Sequence, residues 1–252
     1  MKIPYLIILL LLIVSAAGCA ASPPAADLPL TPAGSYPVTP DSIPEATITL
    51  VQPAALVSSP YTDRGFSAAT TASISWWLSP DFYDNTNLFR RYLRSTDADQ
   101  AAYPEEQQIF FGFITEHLDH AIAESDTDEE IILFRGISPG FAETVLSNAA
   151  YNETAFASTS YDITIPLVTY GSRGDDGYSN VLLLSRSPGD HLLYINEGER
   201  EVLLPRDLTW QVVAVKEIGD LTIESDFPLF SNGEMHESVQ HVRLITILER
   251  EL

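Results

Sequence analysis

Asn196 to Trp210 reads NEGEREVLLPRDLTW. Three carboxylates, Glu197, Glu199 and Glu201, crowd the mouth of an apolar run formed by Val202, Leu203 and Leu204, which stops at Pro205. The run reads as a short strand entering a core. Alternation along it puts Glu199 and Glu201 on one face, about 7 Å apart at a rise of roughly 3.3 Å per residue, with Arg200 on the other. Glu197 falls in the preceding turn. Like charges this close repel, and one of the pair usually has its pKa raised. Two readings fit the crowding. A solvated edge strand guards itself with charge. Alternatively, one half-buried carboxylate stabilises a developing positive charge while its neighbour orients or deprotonates a nucleophile.

Outward from this stretch the chain divides into two textures. Residues 73–78, 85–94 and 105–124 carry apolar side chains at three- and four-residue spacing, as in Ile109, Phe110, Phe113, Ile114, Leu118 and Ile122, and predict helices. Residues 131–134, 154–159, 181–185, 201–204, 208–217 and 241–248 are short apolar or alternating runs separated by Gly, Pro, Asp and Asn, and predict strands. Helices first and strands afterwards point to an α+β domain rather than to alternating parallel units.

Two further motifs end predicted strands. In LFRGIS, Leu133 to Ser138, Arg135 offers a planar five-donor fork next to Gly136, whose backbone is unobstructed. That suits a phosphate and a flat amide. It equally suits an arginine reaching from a strand end to a surface carboxylate. In FASTSYD, Phe156 to Asp162, Ser158 and Ser160 share one face of the strand and Thr159 takes the other. Hydroxyls at a strand end fix a ligand, orient a carboxylate or simply form a turn.

The chain has 252 residues, 45% of them hydrophobic, which supports one sizeable domain with extensions. Its net charge is −22, from 35 acidic against 13 basic side chains, and its lysines are Lys2 and Lys216. Nucleic acid is a poor partner for such a surface, because neutralising phosphates takes clustered Lys and Arg. Residues 1–18 hold an early Lys, an apolar run from Tyr5 to Val14 and then small residues, the pattern of an export signal. Cys19 is the single cysteine, so no internal disulfide forms, and its place after Ala16-Ala17-Gly18 resembles a lipoprotein processing site. Ala16 stands where that pattern prefers leucine, which leaves cleavage without lipidation open. Residues 19–60, rich in Pro, Ala, Ser and Thr, read as a disordered tether from the lipidated cysteine, and 61–252 as the folded domain.

Taken in order, Arg, then Ser-Thr-Ser, then Glu-x-Glu, these motifs resemble the signature of the arginine-type mono-ADP-ribosyltransferases. The likeness is strongest at LFRGI, FASTS and EREVLLPR, and the tail of the last matches Glu199 and Glu201, not Glu197, to the acidic pair. FYDNTNLFRRYLR resembles the family's helical lead-in more loosely. The resemblance implies N-terminal helices followed by two packed, mainly antiparallel sheets that form an NAD cleft. It implies that Arg135 grips an NAD phosphate, that the backbone of Gly136 holds the nicotinamide amide, and that Ser158 orients the catalytic carboxylate, with Thr159 and Ser160 supporting the strand. Glu201 would stabilise the oxocarbenium-like sugar left as nicotinamide departs, and Glu199 would take the acceptor arginine. Tyr194, in the stretch before the pair, is expected either to touch the protein substrate or to pack in the core. NAD serves as co-substrate and no metal is implied. An NAD glycohydrolase, with water as acceptor, and a catalytically silent surface-binding module use the same residues. The expected site is cell-surface, on a membrane through the lipid anchor only, or secreted if Cys19 is unmodified.

Other signals carry less. His117 and His120, with Glu116 and Asp119, lie on one predicted helix as an acidic face rather than a metal site. The Arg-Gly-Asp at 173–175 is too short to mean adhesion, and Asn152-Glu153-Thr154 is a glycosylation sequon. Neither common Gly-rich phosphate loop occurs, which excludes a dinucleotide crossover of that type.

Overall fold

The computed structural model describes residues 61, 64–79, 83–170, 173–196, 198, 200–225 and 236–249. The expected leader, Cys19, the tether, Glu197 and Glu199 lie outside them.

Helices lead, as expected. Helix α1 spans Ala68–Trp77 and starts where the Ser67 side chain accepts from the Thr70 N–H. Helix α2 spans Tyr83–Arg94, and a single turn, α3, spans Asp97–Gln100. Helix α4 spans Glu105–Ala123; Glu105 and Glu106 complement its N-terminal dipole, and it buries Phe110, Phe111, Ile114, Leu118, Ala121 and Ile122. Strands β1 (Ile131–Gly136), β2 (Ala150–Glu153), β3 (Ala157–Ser160), β4 (Ser179–Arg186), β5 (Leu193–Asn196), β6 (Glu201–Leu204), β7 (Leu208–Ser225) and β8 (His236–Glu249) follow. Helix α5 (Pro139–Asn148) lies between β1 and β2, and helix α6 (Thr164–Tyr170) between β3 and β4.

The strands run in the order β2-β7-β8-β4-β1-β3-β6-β5, with β4 and β8 parallel and every other neighbour antiparallel. The sheet is pinched in the middle. β1 and β3 share one register pair, Phe134 with Ser160, so the strands on either side behave as two layers. Leu133, Leu182 and Ile245 of the larger layer pack in one cluster with Ala157, Val202 and Leu204 of the smaller. These are the two packed sheets that the signature implies.

The helices cover the other face of the smaller layer. Ile74, Trp77, Phe89 and Phe111 meet Phe156, Leu193, Ile195 and Leu203. The run Val202-Leu203-Leu204 is therefore apolar throughout because it is buried on both faces: Val202 and Leu204 enter the inter-layer core, and Leu203 enters the helical one. Helix α6 closes a third cluster, in which Leu167 packs on Phe134, Val181 and Leu244. The long β7–β8 hairpin bends at two bulges, the second placing Gly219 at φ +83°.

Candidate active site

The pinch opens a cavity of about 110 Å³ lined by Arg90, Phe134, Arg135, Gly136, Ser158, Thr159, Ser160, Ile165, Pro166 and Glu201. Where two strands keep only one register pair their ends diverge, and the residues at those ends face the gap. The three sequence motifs thus meet at one place: Arg135 and Gly136 at the end of β1, the hydroxyls on β3, and Glu201 at the start of β6. The ladder of β3 and β6 sets their heights, with Ser158 opposite Leu203 and Ser160 opposite Glu201.

Glu201 is 6% exposed. Its Oε1 accepts from Ser158 Oγ at 2.5 Å and from the indole Nε1 of Trp77 at 3.1 Å. Two donors on one oxygen fix the carboxylate plane and satisfy a charge that would be expensive to bury bare. Thr159 turns its Oγ1 to the carbonyl of Val202 at 2.7 Å and so clamps β3 to β6. Ser160 Oγ accepts from the Asp162 N–H at 3.1 Å.

Arg135 is held from behind. Its Nη1 lies 3.2 Å from Glu153 Oε2 as a charge contact. The Glu153 side chain has no exposure, and it binds Arg94 bidentately, through Nε at 3.0 Å and Nη2 at 2.9 Å. It also accepts from the Tyr151 hydroxyl and, at 3.1 Å, from the Ala155 N–H. Burial pushes the Glu153 carboxyl up, but Arg135 and Arg94 outweigh burial and hold it below its ordinary value. Burial likewise drives the Tyr151 phenol well above its usual range. Two guanidiniums against one carboxylate leave a net positive seat. Its partners also show how far the larger layer curls: Glu153 ends one of its outer strands, β2, and Arg135 is the penultimate residue of the other, β1.

The structure brings together Arg135, Gly136, Ser158, Thr159, Ser160 and Glu201; Glu199 is not among the described residues. Of the two places expected for Tyr194, the acceptor surface and the core, the structure shows the core. It sits in strand β5, opposite Val202, only 2% exposed, with its ring 6.0 Å from that of Tyr161. β5 alternates Leu193 and Ile195 toward the helices, which sends Tyr194 into the inter-layer core.

Sequence reasoning missed Trp77, Arg90, Arg94 and Glu153. Arg90 lines the cavity with its guanidinium 4.7 Å from the Trp77 ring centre. Arg90 and Arg94 are one turn apart on α2, a spacing that puts both on one helix face and was visible in LFRRYLR. No comparable local signal marks Trp77 or Glu153.

No protein-family model matches the chain, and no curated protein matches it in sequence. Solved structures do match. The enzymatic component C2-I of the C2 toxin from Clostridium botulinum aligns with TM-score 0.48 and 14% identity over 73% of this chain and 44% of its own, so the chain spans less than half of that protein. The Clostridium limosum C3 exoenzyme aligns with TM-score 0.47 and 18% identity over 74% of this chain and 87% of its own. A smaller ADP-ribosyltransferase from Clostridium botulinum aligns with TM-score 0.50 and 17% identity, over 76% of this chain and 90% of that one. The chain therefore has the ADP-ribosyltransferase fold, with helices in front of an eight-stranded mixed sheet.

Proposed function

We propose that the chain transfers ADP-ribose from NAD to an arginine of a protein and releases nicotinamide. The observation that carries this reading is the Glu201 carboxylate, held on one oxygen by Ser158 and Trp77 and facing the same cavity as Arg135 and Gly136. The net positive seat of Arg135, Arg94 and Glu153 suits the pyrophosphate, and the backbone beside Gly136 suits the carboxamide. As the bond from ribose C1′ to nicotinamide breaks, its electron pair leaves with the nicotinamide. The sugar gains positive charge, which Glu201 stabilises mainly in the transition state. The acceptor guanidine then bonds to C1′ and loses a proton to the second carboxylate of the EREVLL motif, Glu199. The choice of arginine rests on that acidic residue alone. An exported, lipid-anchored location rests on the leader and on Cys19.

The test incubates the full chain with labelled NAD, with and without agmatine, beside Glu201→Gln and Glu199→Gln. The expected result is ADP-ribosyl-agmatine from the wild type, no turnover from Glu201→Gln, and NAD hydrolysis without transfer from Glu199→Gln. Hydrolysis alone from the wild type would make it an NAD glycohydrolase, and a folded chain that binds NAD without releasing nicotinamide would make it a binding module.

A further inference from the structure

The residue before Glu201 adopts a backbone that a side chain disfavours. Arg200 has φ +50°, in the region glycine occupies most readily, yet the position holds an arginine. Its Nη1 pairs with Asp162 Oδ2. Asp162 is fixed in turn: its Oδ1 accepts from the Thr164 N–H at 2.9 Å and from Thr164 Oγ1 at 2.7 Å, where α6 begins. The next two residues of α6, Ile165 and Pro166, line the cavity.

The β3–β6 ladder ends at Ser160 and Glu201. Arg200 lies one residue outside that last pair on one strand, and Asp162 two residues outside it on the other. The ion pair thus continues by side chains what the backbone stops doing. The Arg200 side chain is 39% exposed and that of Asp162 10%. With Asp162 nearly buried and Arg200 partly exposed, the pair lies between a surface pair and a buried one, and its contribution to folding is intermediate. What singles it out is its placement, since it joins three walls of one cavity: β3, β6 and α6.

We propose that Arg200 is a positioning residue, whose pairing with Asp162 holds the Glu201 end of β6 against the start of α6 and fixes the width of the cavity. This rests on the reading of Glu201 as the catalytic carboxylate.

The discriminating variant is Arg200→Gly, which removes the pair and relieves the backbone at φ +50°; the relief offsets the loss of a partner for Asp162, so Tm should stay close to that of the wild type. Misplacement of a reacting group by a fraction of an ångström to 1 Å lowers turnover by roughly ten- to a hundredfold. On the full chain, Arg200→Gly should therefore lower kcat for nicotinamide release at least about tenfold, with a smaller change in KM for NAD and little change in Tm. Arg200→Lys should recover most of the loss. Hydrogen exchange of segments 162–168 and 200–204, measured on the same proteins, should accelerate in Arg200→Gly and not in Arg200→Lys. Unchanged kcat and exchange in Arg200→Gly would overturn the proposal, as would a kcat loss that merely follows a fall in Tm. If the wild type releases no nicotinamide, the transferase reading fails by itself, and exchange alone decides whether the pair restrains the two segments.

Discussion

Trp77 and Glu201 are separated by 124 positions in the chain, and the indole N–H of one donates to the carboxylate of the other at 3.1 Å. The bond ties the first described helix to the strand that carries the proposed chemistry. A hydrogen bond to a charged group contributes about 1.5–3 kcal/mol. Trp77→Phe keeps the ring and deletes the donor. It should lower kcat for nicotinamide release by roughly ten- to a hundredfold while KM for NAD moves little. Combined with Ser158→Ala, which removes the other donor to the same oxygen, the losses should not add, because both act on one carboxylate. Steady-state kinetics on the two single variants and the double variant read this directly.

Glu153 holds two arginines and is fully buried, so Glu153→Gln leaves the Arg94 and Arg135 charges facing one another without a counter-charge. Breaking a buried pair from one side costs about 3–5 kcal/mol. The substitution should reduce Tm sharply and raise KM for NAD, as melting curves and kinetics would show.

The same carboxyl makes an acid prediction. Its folded pKa is below the ordinary 4.5, so the unfolded chain binds more protons between the folded value and 4.5. The stability Glu153 provides is fully present above that window and is lost as pH falls through it. Denaturant unfolding of the wild type should weaken across this range, and Glu153→Gln should lose that part of the slope.

Arg135→Lys keeps the charge and removes the planar fork. Binding of NAD should weaken by about tenfold, a change of roughly 1.4 kcal/mol, with the fold intact. Titration calorimetry with NAD on the full chain measures it; unchanged affinity would remove Arg135 from the phosphate seat.

Leu203 has no exposure and enters the helical core from the middle of β6. Leu203→Ala should cost about 3 kcal/mol through the lost burial and the cavity left behind. Because Glu201 lies on the same four-residue strand, turnover should fall at temperatures where the variant remains folded.

Much of the frame was legible because it is local. The Val202-Leu203-Leu204 run announced β6 to the residue, the three- and four-residue spacing from Ile109 to Ile122 announced α4, and the punctuation around LFRG announced β1. Helix α5 had its signal in Ser138 and Pro139, a cap followed by a first-turn proline, and it escaped because the run is short. Helix α6 ran against its own propensities: TIPLVTY is β-branched and holds a proline, and the helix forms because Asp162 receives its first N–H groups and Leu167 is buried. β5 was missed because a strand of four residues covered on both faces alternates nothing visible, which is also why the sequence left Tyr194 open between an acceptor surface and the core. The three motifs gave the cavity's front wall. What holds that wall from behind, Trp77 against Glu201 and Glu153 with Arg94 against Arg135, is built from contacts between distant segments, and no local pattern encodes those.

The two layers that meet at Phe134 and Ser160 do not take their strands from separate stretches of chain. β1 and β2 belong to the larger layer, β3 to the smaller, β4 to the larger, β5 and β6 to the smaller, and β7 and β8 to the larger again. A cut between β3 and β6, from residue 161 to 200, leaves each layer short of a strand and separates Glu201 from Arg135, Gly136 and Ser158, with which it lines the cavity. The site is consequently inherited whole or lost whole. Exchange of gene segments between relatives offers no crossover inside residues 161–200 that would pass on half of it in working order.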